Sequence, residues 1–102
     1  MEQQDSEGSV SSHRAYSRTA TAIRGIRKRL GDTQHAFGRR LGYADTSANA
    51  TISKLEAGTS RPTAEVIAGI FAADRVGAVE LLTALAQDIG MNLTPVLKDR
   101  GE

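Results

Sequence analysis

The sequence contains no cysteine and no tryptophan, and only two prolines and two histidines among its 102 residues. The absence of cysteine excludes disulfide bonds, thiolate zinc sites, iron–sulfur clusters and cysteine nucleophiles. The two histidines, His13 and His35, leave too little for a metal site, so we expect no metal ion and no other cofactor. No Ser/His/Asp set or carboxylate pair lies on segments that would converge, so we also expect that the protein is not an enzyme.

Long apolar runs are missing as well. The longest, from Val66 to Ala73, is far shorter than the roughly 20 residues that a membrane span needs. The first residues, Met1 to Asp5, are polar and acidic, unlike a secretory signal. We therefore expect a cytoplasmic protein without membrane contact. The length fits one small domain that carries a tail.

Charge is segregated along the chain, although the net charge is only +1. Residues 1–12 have three acidic and no basic side chains, residues 13–61 have ten basic against three acidic ones, and residues 62–102 have six acidic against three basic ones. A basic middle part between acidic ends suggests a surface that binds nucleic acid. A solvated, arginine-rich helix face would give the same count, so charge alone leaves both interpretations open.

Hydrophobic periodicity predicts five helices between residues 13 and 90. Residues 1–12 hold one aliphatic side chain and are predicted to form a disordered acidic tail. The fifth helix is expected to turn Val79, Leu82 and Leu85 inward. The predicted limits, read from caps and glycine stops, are a first helix from Ser11 or Ser12 to Gly31, a second from Asp32 or Thr33 to Gly42, a third from Thr46 or Ser47 to about Ala57, a fourth from Thr63, and a fifth from about Gly77 to Ile89.

The carboxy-terminal residues 91–102 show a different pattern. Apolar side chains recur at every second position from Met91 onward, which predicts a short β-strand. Because a lone strand in a helical domain has no partner in its own chain, pairing with a second copy is the simplest arrangement. We therefore expect a homodimer formed through a strand with Met91, Leu93, Val96 and Leu97. A frayed polar tail is the alternative.

Two strings at linked spacing carry the functional signal, TQHAFGRRLG at residues 33–42 and TISKLEAGTSRP at residues 51–62. With them, residues 19–73 resemble the Cro/repressor-type (Xre) helix-turn-helix family. The resemblance implies an all-α, five-helix domain similar to lambda repressor at residues 13–90, which binds double-stranded DNA. In this family the positions of Arg27 and Glu56 form an ion pair that ties the first helix to the third.

Individual residues of these strings have physical roles of their own. Gly38 is expected where two helices cross closely, and Gly42 is expected at a positive φ after the second helix. Gln34, in the first turn of the second helix, is placed to hold a phosphate. The family's ion pair, carried over to this sequence, implies that Arg27 lies near a phosphate as well.

The third helix is the predicted recognition helix, which would lie in the major groove. Its early residues Ser47, Asn49, Ala50 and Thr51 are the candidate base contacts, and Asn49 is the best of them because its amide fits adenine. Asn49 could instead cap the helix, and Arg61 could be a solvated loop residue. The candidate phosphate contacts are Arg27, Gln34, Lys54, Thr59, Ser60 and Arg61.

One feature departs from the family pattern. About four additional residues separate Gly42 from the third helix, across the segment from Tyr43 to Ala48. Either the turn is expanded or the recognition helix starts one turn early. The alignment of the base-reading residues depends on which alternative holds.

The resemblance extends more loosely to the carboxy-terminal segment, which is similar to the strand of HipB- and HigA-type antitoxins. It implies a homodimer that represses its own operon at a palindromic operator and neutralises a toxin protein, often a ribonuclease. The chain has little room for a separate sensor domain, which favours this interpretation. The alternative is a stand-alone regulator of the same family without a toxin partner.

Overall fold

Five α-helices form the part of the chain that the computed structural model describes, residues 15–99, with side chains described as far as Met91. No strand occurs among these residues, and the predicted tail at residues 1–12 lies outside them. The helices are α1 Ser17–Leu30, α2 Gln34–Arg40, α3 Asp45–Glu56, α4 Ala64–Ala73 and α5 Arg75–Asp99.

Short polar side chains cap three of these helices, two of them at the threonines that the sequence predicts, whereas the fifth helix begins before the predicted Gly77. The Thr33 hydroxyl accepts a hydrogen bond from the Ala36 N–H at 3.0 Å and begins α2, and Thr63 does the same for α4. Asp74 begins α5, since its Oδ1 accepts from the Gly77 N–H at 2.9 Å. Each such cap satisfies one donor that the helix itself leaves unpaired.

The first helix begins at Ser17, so the predicted start near Ser11 or Ser12 is wrong. Tyr16, which precedes α1, provides no side-chain cap. The cap comes from α5 instead, because the buried Asp88 carboxylate accepts from the Thr19 N–H at 2.8 Å and from the Thr19 hydroxyl at 2.7 Å. Asp88 thereby joins α5 to the start of α1 and carries its charge to the positive end of the α1 dipole.

The core lies between α1 and the other four helices. Burial of each large side chain contributes about 1.5–3 kcal/mol. The fully buried residues with the largest side chains are Ile23 and Ile26 of α1, Phe37 of α2, Ile52 of α3, Val66 and Ile70 of α4, and Leu81 of α5.

The inward face of α5 differs from the prediction. Leu85 is buried as expected, but Val79 and Leu82 are 63% and 46% exposed. Leu81 and the capping Asp88 point inward instead. Apolar residues occur on both sides of this helix, so periodicity alone predicts the wrong buried face. The buried hydrogen bonds of Asp88 orient the helix.

The predicted carboxy-terminal strand is also wrong. The backbone of α5 continues through Gly90 and the segment with Met91, Leu93, Val96 and Leu97 as far as Asp99. Leu93 is four positions from Leu97 and three from Val96, so this segment fits helical spacing as well as the alternation of Met91, Leu93 and Leu97. A helix satisfies most of its backbone hydrogen bonds within the segment, apart from the one that Pro95 cannot donate, whereas a lone strand leaves them without partners.

Candidate nucleic-acid interface

A tight turn of four residues connects α2 to α3. Gly42 follows α2 at φ +100°, the positive value that was predicted. The Tyr43 N–H returns to the Gly38 carbonyl at 3.0 Å and closes the turn. Because α3 begins at Asp45, the turn is not expanded, and the recognition helix starts one turn early. This result decides between the two alternatives that the additional residues left open.

Helices α2 and α3 cross at Gly38 with almost no space between them. A Cβ atom on Gly38 would lie 2.6 Å from the Ala48 carbonyl oxygen and 2.7 Å from the Ala48 Cβ. Such contacts are shorter than van der Waals distances, so only glycine permits this approach. The predicted close crossing is present, and it determines which side of α3 faces the protein.

The opposite side of α3 faces solvent. Ala48, Ile52 and Leu55 are buried, and Ser47 and Thr51 are half-buried along the edge of the helix. Among the four predicted base contacts, Asn49 and Ala50 are therefore fully on the outer face, whereas Ser47 and Thr51 flank it. The exposed residues of α3 are Asp45, Thr46, Asn49, Ala50, Ser53 and Lys54.

At the end of α3, Glu56 forms a bidentate ion pair with Arg27 of α1. Arg27 Nε donates to Glu56 Oε2 at 2.6 Å, and Nη2 donates to Oε1 at 3.0 Å. The third guanidinium nitrogen, Nη1, donates to the Asp32 carbonyl at 3.0 Å. Since the Arg27 side chain is only 15% exposed and all its nitrogens contact the protein, its geometry favours a structural role over a phosphate contact.

Glu56 is the centre of this network. Its side chain is only 3% exposed. Burial raises the pKa of the Glu56 carboxyl, but hydrogen bonds from Arg27 and Gln34 and the charges of Arg27 and Arg24 lower it to below its ordinary value. Gln34 uses its Nε2 for this purpose, at 3.1 Å from Glu56 Oε1. The same side chain was expected to hold a phosphate, and its amide nitrogen instead holds α2 against the end of α3.

The other candidate phosphate contacts lie in the last turn of α3 and in the loop that follows it. The Lys54 side chain is exposed and makes no hydrogen bond or ion pair within the described residues. The Thr59 hydroxyl donates to the Lys54 carbonyl at 3.1 Å, and Ser60 is half-buried in the following loop. Arg61 is exposed and lies over the Tyr16 ring, 5.7 Å from its centroid, which holds its guanidinium at the rim of this surface.

Sequence reasoning missed Asp45 as a surface residue of the recognition helix. It was assigned to the turn, but it begins α3 with a side chain that is 75% exposed. Its Oδ1 lies 3.0 Å from His35 Nε2 and 3.5 Å from Arg39 Nε, both on α2. An acidic residue just after a turn is a signal of a helix start, because it interacts favourably with the helix dipole.

A comparison with known families agrees with this geometry. Residues 23–81 match a family model described as helix-turn-helix. The chain belongs to the Cro/repressor-type (Xre) helix-turn-helix family. No curated protein matches the chain significantly, and no solved structure does.

The helix-turn-helix family is one of DNA-binding regulators, so the protein is a DNA-binding transcriptional regulator. In this helix-turn-helix protein, α2 and α3 are the two helices of the motif, and the matched region continues into α5. None of the helices in the described residues combines the length and apolar character needed to cross a membrane.

Proposed function

We propose that the protein is a cytoplasmic, sequence-specific repressor that binds a palindromic operator in double-stranded DNA as a homodimer. The observation that carries the proposal is the outer face of α3. Its protein-facing side is buried against Gly38, so Asn49 and Ala50 are free to meet base edges in the major groove. Ser47 and Thr51, at the edges of the same face, are proposed as further base contacts.

Phosphate contacts would flank the groove on both sides of α3. We assign them to Lys54, Thr59, Ser60 and Arg61, with Gln34 contributing through its backbone at the start of α2. Such contacts position the protein without reading sequence, and they make binding strongly dependent on salt. Arg27 and Glu56 fix the relative positions of α1, α2 and α3, and thereby support this surface.

Replacement of Asn49 by alanine tests the assignment of the base-reading face. The Asn49→Ala variant loses a bidentate contact worth about 1–3 kcal/mol, or about 5- to 150-fold in specific affinity, and keeps its affinity for unrelated DNA. The measurement is fluorescence anisotropy with a duplex selected by the wild-type chain and with a scrambled duplex. An equal loss on both duplexes would show that Asn49 positions the protein and does not read bases.

The homodimer is proposed to form through α5, in place of the strand that the sequence suggested. Val76, Val79 and Leu82 are 69%, 63% and 46% exposed on one face of this helix. A two-fold axis lets the same face cover itself in a second copy, and it presents two α3 helices to half-sites about 34 Å apart. Exposed apolar faces of this kind mark interaction sites.

A charge placed in this face tests the dimer. Val79→Asp is expected to weaken dimerisation in sedimentation equilibrium, because two carboxylates would be buried face to face. Thr21→Asp, an exposed substitution on α1, is the matched control and is expected to leave the dimer constant unchanged. A Val79→Asp protein with the wild-type dimer constant would contradict the assignment of α5.

An antitoxin role is the second candidate. The strand that suggested it is absent from the described residues, but a toxin protein would be another cover for the exposed side chains of α5. Co-expression with the product of the adjacent gene tests the idea, since an antitoxin restores growth that this product arrests. Growth without arrest, or arrest that the chain does not relieve, favours a stand-alone regulator.

A further inference from the structure

An acidic side chain lies at the start of α3, within the basic surface that is proposed to bind DNA. Asp45 is in the first turn of α3 and 75% exposed. A carboxylate in the major groove is repelled by the phosphates on both sides of it, which lowers affinity for every DNA sequence. The carboxylate is favourable for the start of α3 itself, because it lies at the positive end of the helix dipole. For DNA binding, its charge is a cost unless it is compensated and the side chain recognises a base.

Two cationic or hydrogen-bonding groups of α2 hold the Asp45 carboxylate in place. His35 Nε2 and Arg39 Nε lie 3.0 Å and 3.5 Å away, and both contact the same oxygen, Oδ1. Arg39 is itself fixed, because its Nη1 donates to the Tyr43 carbonyl in the turn at 2.7 Å. Among the described residues, no hydrogen bond is made to the other oxygen, Oδ2.

We propose that Asp45 reads cytosine. Held through Oδ1 by His35 and Arg39, it accepts a hydrogen bond at Oδ2 from the N4 amino group of a cytosine in the operator. This inference rests on the proposed function, since it requires α3 to lie in the major groove.

The chemistry of the groove selects cytosine among the four bases. Guanine and thymine present only acceptors there, which repel a carboxylate. Adenine presents the N6 amino group next to the N7 acceptor, so a carboxylate that approaches N6 also meets a lone pair. The cytosine N4 amino group is the donor without that neighbour. Asn49, with both a donor and an acceptor, suits adenine for the same reason.

The spacing of Asp45 and Asn49 makes the proposal more specific. They are four residues apart on one face of α3, which is about 6 Å along the helix axis. Successive base pairs are about 3.4 Å apart. The cytosine read by Asp45 is therefore expected about two base pairs from the position read by Asn49, in each half of the operator.

The test begins with selection of duplexes from a randomised pool by the wild-type chain. Affinities of the selected duplex, and of duplexes with each base pair of one half-site changed, are then measured by fluorescence anisotropy. The variants are Asp45→Ala and the isosteric Asp45→Asn. Glu65→Gln is the control, because it also removes an exposed carboxylate from the first turn of a helix. Circular dichroism verifies that each variant is folded.

The wild-type chain is expected to prefer cytosine at one position by about 5- to 10-fold, the lower part of the range for a specific base contact. Asp45→Ala loses this preference and keeps the others, Asp45→Asn shifts it to adenine, and Glu65→Gln retains it. The inference is overturned if both Asp45 variants keep the cytosine preference. It is also overturned if they bind all duplexes more tightly with unchanged preferences, since Asp45 would then be only a repulsive charge.

The same experiment separates this inference from the function on which it rests. If the wild-type chain enriches no sequence, the proposed function fails and the role of Asp45 fails with it. If the wild-type chain selects a motif that no Asp45 variant alters, only the cytosine assignment fails.

Discussion

Replacement of Arg27 by methionine tests the account of the buried network most sharply. Methionine keeps the aliphatic stem of the side chain but leaves the Glu56 carboxylate, only 3% exposed, without its bidentate partner. Removal of one partner from a buried pair costs about 3–5 kcal/mol. We expect about 3 kcal/mol, the lower end, because Gln34 and Arg24 still contact Glu56.

Replacement of the other partner, Glu56→Gln, is expected to lower the free energy of unfolding by less than Arg27→Met does. It removes the more deeply buried charge, and the remaining Arg27 still donates to the Asp32 carbonyl and is partly exposed. The loss is then mainly that of charge-assisted hydrogen bonds, about 1.5–3 kcal/mol. Both values are measurable by urea denaturation, since a domain of this kind is stable by about 5–15 kcal/mol.

The contribution of Glu56 to the free energy of unfolding depends on pH with opposite signs in the wild type and in Arg27→Met. In the wild type the pKa of Glu56 is lowered below its ordinary value of 4.5. The stability that this carboxylate contributes is therefore present above about pH 4.5 and is lost as the pH falls through the folded-state value. In Arg27→Met the bidentate partner is lost and burial raises the pKa of Glu56 above its ordinary value, so protonation of Glu56 relieves the variant as the pH falls towards 4.5.

Urea denaturation at pH 7 and pH 5, at constant ionic strength, gives the result. The stability difference between wild type and Arg27→Met is expected to be smaller at pH 5. The reasoning is refuted if this difference is the same at both pH values, or if Glu56→Gln is less stable than Arg27→Met at pH 7.

Two further substitutions have defined outcomes. Gly38→Val forces α2 away from α3 at Ala48 and is expected to cost at least about 1–3 kcal/mol in thermal denaturation, as overpacking does. A wild-type melting temperature would contradict the close approach of the two helices at Gly38. Asp88→Ala leaves the first N–H groups of α1 uncapped and the Thr19 hydroxyl buried without its acceptor, which costs about 1–3 kcal/mol. Hydrogen exchange should then increase first at the start of α1, and uniform exchange along the chain would count against this role of Asp88.

The features that follow from local rules are predictable from the sequence. Thr33 and Thr63 begin helices because their hydroxyls accept from the backbone three residues on. Gly42 ends a helix because it adopts a positive φ without strain, and Gly38 marks a close crossing because no other residue fits. The family motif depends on these same residues, so the helix-turn-helix architecture is predictable from the sequence.

The features that depend on distant contacts are not predictable in this way. Asp45 carries a local signal for the start of α3, but only the close approach of Ala48 to Gly38 shows which side of α3 faces solvent. The orientation of α5 is set by Asp88, whose partners at the start of α1 are about 70 positions away in the sequence. Residues 91–97 satisfy both the strand and the helix pattern, and backbone hydrogen bonding decides in favour of the helix.

The central claim is that the outer face of α3 meets DNA. The most direct measurement is the set of amide chemical-shift changes in the labelled full chain when a 20-base-pair duplex of mixed sequence is added at low salt. Non-specific binding uses the same phosphate contacts, so no operator is needed. We predict that the largest changes fall in α3 from Asp45 to Lys54, at the start of α2, and in the loop that contains Arg61. Changes that concentrate on α5, or an absence of changes in α3, would contradict the account.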